Sequence, residues 1–209
     1  ILFLMIISCK DNIREEIVKK YDDGKPKLIE YSNQADDNKE LEKGIEYYLD
    51  GKIKSEKHFK HGKKNGKWTT YYENGQIKSE EYYSNGSSEG KWTYYNKGGS
   101  IDEVKEYKFD KLINETSYFM NGNNKIMLSY NQLGLFNEKE WYENGMLKSE
   151  DNLNADLKIK TENEYYQTGA TKTSYEQYFK IKQTNIKKFY ENGNMYQHMF
   201  VSPSVTIVK

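Results

Sequence analysis

A single cysteine, Cys9, excludes an intrachain disulfide and any metal site built from clustered thiolates. Proline occurs twice and valine five times in 209 residues. Leu, Ile, Val and Phe together make only about a fifth of the chain, so a thick aliphatic core is not available. Charge of one sign is missing as well. The 32 Lys and Arg are matched by 32 Asp and Glu, which leaves no long-range field to gather nucleic acid. There is no apolar run of about 20 residues, the length a membrane-crossing helix needs, and the mean hydropathy is −1.04. What the chain has in excess is aromatic: 20 Tyr, 8 Phe and 3 Trp. Something other than a thick core has to hold it, and rings are the apolar surface at hand.

The N-terminal stretch Ile1-Leu2-Phe3-Leu4-Met5-Ile6-Ile7 ends at Ser8 and Cys9 and is followed at once by Lys10-Asp11-Asn12. These apolar residues suit the end of a signal-peptide apolar region. Ile6-Ile7-Ser8-Cys9 resembles the bacterial lipobox, in which a small residue precedes the cysteine that is acylated and becomes the mature N-terminus. The resemblance implies a clipped signal peptide over 1–8, lipidation at Cys9, and a tether and N-terminal cap over 9–18. It also implies an outward-facing lipid anchor in the bacterial cell envelope, on the outer or the cytoplasmic membrane. Membrane contact would then run through that lipid only.

From Lys19 the chain repeats itself. Tyr-Tyr-Glu-Asn-Gly-Gln-Ile-Lys-Ser-Glu at 71–80 returns as Trp-Tyr-Glu-Asn-Gly-Met-Leu-Lys-Ser-Glu at 141–150 and as Phe-Tyr-Glu-Asn-Gly-Asn-Met-Tyr at 189–196. Anchoring on glycine gives Gly24, Gly51, Gly75, Gly98, Gly122, Gly145, Gly169 and Gly193, with spacings of 27, 24, 23, 24, 23, 24 and 24. A fixed period of this size marks a repeat architecture. The Asn-Gly and Asp-Gly pairs at these glycines are hairpin signals. A two-residue type I′ turn at Asn74-Gly75 predicts Glu73 opposite Gln76, Tyr72 opposite Ile77, Tyr71 opposite Lys78 and Thr70 opposite Ser79.

The expected fold is all-β: an elongated, twisted antiparallel meander of about eight β-hairpin repeats of roughly 24 residues over 19–200, with a C-terminal tail over 201–209. Tyr21, Tyr48, Tyr72, Tyr95, Phe119, Tyr142, Tyr166 and Tyr190 lie three residues before the anchor glycines and predict an aromatic row on the more apolar face, alongside Ile53, Ile77, Leu147 and Met195. One residue earlier, Tyr47, Tyr71, Tyr94, Tyr118, Trp141, Tyr165 and Phe189 form a second row. Their predicted cross-strand partners include Lys54, Lys78, Lys148 and Lys172. Tyr47, Tyr71, Tyr94, Trp141, Tyr165, Phe189 and those four lysines make the candidate binding face. Irregular pairing is expected at Gly98-Gly99, in the turn over 121–124, and over 151–163, where the link lacks glycine.

Between hairpins, Gly62-Lys63-Lys64-Asn65-Gly66-Lys67-Trp68 and Asn85-Gly86-Ser87-Ser88-Glu89-Gly90-Lys91-Trp92 both end in Gly-Lys-Trp. With the Tyr-Tyr-x-x-Gly that follows, this run resembles the MORN-variant repeat of bacteria. The resemblance covers about 180 residues and implies a non-catalytic repeat surface that binds a protein or polysaccharide partner. Members of that family are also often described as antitoxins, which would imply sequestering a toxin through the repeat face.

No nucleophile triad, phosphate loop or dinucleotide fingerprint is present, and the carboxylates recur with the repeat, so no enzyme activity and no cofactor is expected. The histidines are His58, His61 and His198. The His58-x-x-His61 pair flanks a link without a third ligand in register, so no metal is expected.

Overall fold

The computed structural model describes residues 13–33, 40–131, 134–154, 157–180 and 182–202, with the backbone alone at 134–136. Cys9 and the tail beyond residue 202 lie outside the described residues. The described chain is all-β. It divides into two compact units, one of residues 1–100 with 107–111, the other of residues 101–106 with 112–209.

In the first unit the strands are β1 (Ile13–Lys20), β2 (Pro26–Asn33), β3 (Glu40–Tyr47), β4 (Ile53–Lys60), the two-residue β5 (Lys63–Lys64), β6 (Gly66–Tyr71), β7 (Ile77–Ser84), the two-residue β8 (Ser87–Ser88) and β9 (Gly90–Tyr95). The division falls within β10 (Ile101–Lys108). In the second unit follow β11 (Lys111–Tyr118), β12 (Asn124–Asn131), β13 (Gly134–Trp141), β14 (Leu147–Asn154), β15 (Ile159–Tyr165), β16 (Thr171–Tyr178), β17 (Gln183–Phe189) and β18 (Met195–Val201). Each unit is an antiparallel meander of strands adjacent in sequence. The segment read as tether and cap is, from Ile13 on, the first strand, paired with β2 from Ile13 opposite Asn33.

Two kinds of turn alternate, and each obeys its local chemistry. At Glu-Asn-Gly the loop has three residues. Tyr72 N–H donates to the Gln76 carbonyl at 2.9 Å and Gly75 N–H to the Tyr72 carbonyl at 2.8 Å. Only Gly75 takes the left-handed conformation, at φ +85°. This is a type I turn closed by a glycine bulge. The expected two-residue type I′ turn is therefore corrected here: the Asn74 carboxamide oxygen accepts from Gln76 N–H at 3.0 Å, so asparagine serves as an acceptor rather than as a left-handed residue. The same carboxylate or carboxamide contact recurs at Asp23, Asp50, Asn121, Asn144 and Asn192. The type I′ turns lie instead in the links, where both central residues have positive φ: His61 and Gly62 at 49° and 69°, and Asn85 and Gly86 at 50° and 95°.

The bulge corrects the register as well. Thr70 does face Ser79, but Tyr71 faces Ile77, and Lys78 becomes the extra residue. The same offset recurs where Tyr47 faces Ile53, Trp141 faces Leu147, Tyr165 faces Thr171 and Phe189 faces Met195. In the Gly98-Gly99 unit the bonded glycine is Gly99, at φ +88°, and its N–H donates to the Asn96 carbonyl at 3.0 Å. Asn96 therefore holds the position assigned to Tyr95, and Tyr95 the one assigned to Tyr94. Among the described residues the irregularity expected elsewhere is absent. Gly122 closes the same three-residue loop onto Phe119, and β14 pairs with β15 without a shift from Ser149 opposite Glu164 to Asn154 opposite Ile159.

With one layer of strands there is little interior. Among the described residues the buried apolar side chains are Ile29, Ile45 and Tyr83, and the buried polar ones are Ser32, Ser55, Thr69, Ser79 and Thr93. Hydroxyls stitch the turns together where the core is thin. Tyr21 Oη donates to the Tyr47 carbonyl, Tyr48 Oη to that of Tyr71 and Tyr72 Oη to that of Tyr95, at 2.8, 2.6 and 2.7 Å. In the second unit Tyr142 and Tyr166 do the same to Tyr165 and Phe189, each at 3.0 Å. The row of rings three residues before the glycine thus runs along the turn edge as a series of staples. Asn96 and Phe119, at the same position, carry no phenolic hydroxyl.

Candidate binding surface

The residues expected to form one binding face are divided between two. Neighbours along a strand point to opposite sides of a sheet. Glu46 and Tyr47 are such neighbours, as are Glu140 and Trp141, and Glu164 and Tyr165. Lys54 Nζ sits 3.0 Å from Glu46, Lys148 Nζ 2.7 Å from Glu140 and Lys172 Nζ 3.3 Å from Glu164. Each lysine head therefore lies across the sheet from the ring it was paired with. The bulge causes this, because one extra residue carries the following side chain to the other face. Lys78 instead lies over the Tyr72 ring, its ammonium 5.8 Å from the centroid. Tyr47, Tyr71, Tyr94, Trp141, Tyr165 and Phe189 are each half-buried. Burial pushes the Tyr47 and Tyr165 phenols up from their ordinary value.

On the face that carries Tyr71, charge is largely neutralised in place. Lys43 pairs with Glu56, Lys67 with Glu80 and Lys139 with Glu150. The first holds the Glu56 carboxyl, and the last the Glu150 carboxyl, below the usual carboxylate range. A shallow hollow of about 770 Å³ lined by Tyr31, Lys43, His58, Lys60 and Lys67 opens in the first unit. His58 Nε2 lies 3.5 Å from Glu56 and His61 Nδ1 3.1 Å from Glu40, so the two histidines address different carboxylates. His198 Nε2 meets the Asn185 carboxamide oxygen at 2.7 Å. Among the described residues no three His, Cys, Asp or Glu side chains converge as a metal site would require.

The main cluster of rings is one the expected rows do not contain. Phe59, Trp68, Tyr83, Trp92 and Tyr107 form a series in the first unit, with successive centroids 5.3, 4.9, 5.1 and 4.5 Å apart and planes tilted by 46–60°. These separations fall in the range aromatic pairs favour, each contributing about 0.5–1.5 kcal/mol beyond area burial. The links build the series. Trp68 Nε1 donates to the His58 carbonyl at 2.7 Å, and Trp92 Nε1 to that of Tyr82 at 2.9 Å. Each indole thereby closes its own link, which is what the tryptophan of Gly-Lys-Trp does. Tyr83 Oη donates to Glu81 at 2.7 Å, and burial together with that bond raises the Tyr83 phenol well above its ordinary value.

Ammonium groups lie over these rings. Lys64 Nζ is 4.4 Å from the Trp68 centroid and 4.5 Å from that of Tyr83, and Lys57 Nζ is 5.4 Å from Trp68. The sequence does contain the signal for this cluster: Trp68 and Trp92 are 24 residues apart, as are Phe59, Tyr83 and Tyr107 in turn. Only the pairing of links side by side makes those separate periods meet.

No curated protein matches the chain in sequence. In backbone trace it is weakly similar to part of the TcdB2-TccC3-TEV crystal structure, at 11% identity and a TM-score of 0.24, covering 89% of this chain and 12% of that one. A mutant of the Photorhabdus luminescens Tc holotoxin pore is similar to the same degree, at 11% identity and a TM-score of 0.24, covering 90% of this chain and 14% of that one. The chain thus spans about an eighth of the length of these structures. The family model described as MORN repeat variant matches at residues 43–61, 64–85 and 137–155. The first match spans the hairpin turned at Gly51, the second the hairpin at Gly75 and the third the one at Gly145. This protein is therefore a β-hairpin repeat protein that is similar to the MORN repeat variant at those three places.

Proposed function

We propose that the protein is a non-catalytic, lipid-anchored envelope protein whose repeat surface holds a partner. The observation that carries this reading is the ring series from Phe59 to Tyr107 with Lys57 and Lys64 seated on it. Aromatic and cationic side chains fixed together on a broad face are the anchors that partner interfaces favour. Lys57 and Lys64 already lie over Trp68, and Lys64 over Tyr83, so these two rings offer a sugar less open face to stack on, which favours a protein partner over a polysaccharide. The anchor is Cys9, on the resemblance of Ile6-Ile7-Ser8-Cys9 to a lipobox.

Two measurements test the reading. Metabolic palmitate labelling should mark the protein and vanish in Cys9→Ser; equal labelling of both would remove the anchor. Affinity capture from the native envelope should retain a protein that is lost with Lys57→Glu and Lys64→Glu but kept with Lys187→Glu, a substitution in β17 of the other unit. Retention unaffected by the first pair would sink the assignment of the face. An unlabelled protein that instead retains a cytoplasmic toxin would favour the antitoxin role.

A further inference from the structure

The second unit carries a row of like charges. Glu138 faces Asp151 directly across β13 and β14, and Asp151 faces Glu162 across β14 and β15. Like charges in direct cross-strand register destabilise a sheet. The row continues on the same face through Leu128, which faces Glu138, to Glu115. Within it Glu162 pairs with Lys160, and Glu115 lies 3.6 Å from Lys105. Burial, then Glu162 and Glu138, push the Asp151 carboxyl up from its ordinary value, against the pull of Lys160.

The first unit holds a lysine-rich segment. From Lys57 to Lys67 there are five lysines and no carboxylate. Lys67 is paired with Glu80. Lys57 and Lys64 have rings as neighbours instead, and the exposed Lys60 and Lys63 flank the His61-Gly62 turn. The carboxylates beside this shelf are already engaged: Glu46, opposite Ser55, is bonded to Lys54 and also feels Lys57, and Glu81, opposite Trp68, is bonded to the Tyr83 hydroxyl. Residues 57 and 151 occupy the same place in their repeats, six after the turn glycine.

We infer that the Lys57–Lys64 shelf docks onto the Glu138–Asp151–Glu162 row of a second copy of this chain. This rests on the partner-binding reading and names the partner. Each copy presents both halves of the contact, so association needs no other component. The attraction acts between partly exposed groups and is therefore screened: the Debye length falls from about 10 Å at 0.1 M salt to about 3 Å at 1 M.

The experiment is sedimentation velocity on the full chain. Wild type should associate at low salt, and its dissociation constant should rise at least about tenfold between roughly 0.05 M and 0.5 M salt. Lys57→Glu with Lys64→Glu should be monomeric, and so should Glu138→Lys with Asp151→Lys; mixed, the two variants should associate with each other. Far-ultraviolet circular dichroism confirms that each variant keeps its strands, and the salt series on wild type needs no variant at all. A monomeric wild type, association indifferent to salt, or folded variants that do not recombine would overturn the inference. If a monomeric wild type still retains polyglutamate, the shelf serves a different acidic protein, and partner binding survives while self-association does not.

Discussion

Removing the Tyr72 hydroxyl probes how successive repeats cohere. In Tyr72→Phe the ring stays and one bond goes, from Oη to the Tyr95 carbonyl at 2.7 Å. Such a bond contributes about 0.5–1.5 kcal/mol net. With a urea dependence of about 2 kcal/mol/M, the midpoint should fall by roughly 0.5 M at unchanged slope. The staple recurs at Tyr21 and Tyr48, and stability in a repeat array is close to a nearest-neighbour sum. The triple Phe variant should therefore lose about three times as much, roughly 1.5–4.5 kcal/mol. Tyr190 is the internal control. It occupies the same place before its glycine, is 56% exposed, and has no following repeat among the described residues to receive its hydroxyl. Tyr190→Phe should leave the midpoint where it is. If Tyr72→Phe is silent in urea unfolding, or if Tyr190→Phe costs as much, the staples do not hold successive repeats together.

Gly75→Ala should destabilise by about 1–2 kcal/mol, because an L side chain is strained at φ +85° whatever space surrounds it. Gly44→Ala should be neutral or slightly stabilising: its Cβ would sit 3.9 Å from Phe59 and 4.0 Å from Leu28 without strain. Both can be read by thermal unfolding. Asn74→Ala should lose about 1 kcal/mol through the acceptor for Gln76 N–H, while Asn74→Asp should be close to neutral, since Asp23 and Asp50 make the same contact. Tyr83 predicts an alkaline limit. Its folded value lies above the ordinary 10.0, so its contribution is complete below pH 10.0 and is lost as pH rises from there through the folded value. Among several raised tyrosines, absorbance titration should find a last-ionising one that is missing in Tyr83→Phe; its absence from wild type would contradict the burial of that phenol.

The all-β class, the period and the sites of chain reversal were legible because each depends on a few adjacent residues. A glycine every 24 or so residues, with Asn or Asp before it, is a local instruction that needs no partner strand. The same dipeptide was nevertheless resolved in two ways. Asn85-Gly86 makes a type I′ turn and Asn74-Gly75 a three-residue bulged one. Gly98 and Gly99 were equivalent as anchors until the bond from Gly99 to Asn96 distinguished them. In the link over 151–163, read as irregular for want of glycine, the described strand residues pair without a shift, and Lys158 itself takes φ 57°.

The sequence by itself determined that this chain is a series of hairpins with too little aliphatic surface for a thick core. It did not determine which side chains share a face. A bulge of one residue turns a side chain through the sheet, so Lys54, Lys148 and Lys172 meet Glu46, Glu140 and Glu164 rather than lying beside Tyr47, Trp141 and Tyr165. Nor did the two link periods, Trp68 with Trp92 and Phe59 with Tyr83 and Tyr107, declare themselves one ring series until strands distant in sequence lay together. Turns are written within a few residues, whereas register is a relation between strands, and only the assembled sheet supplies it.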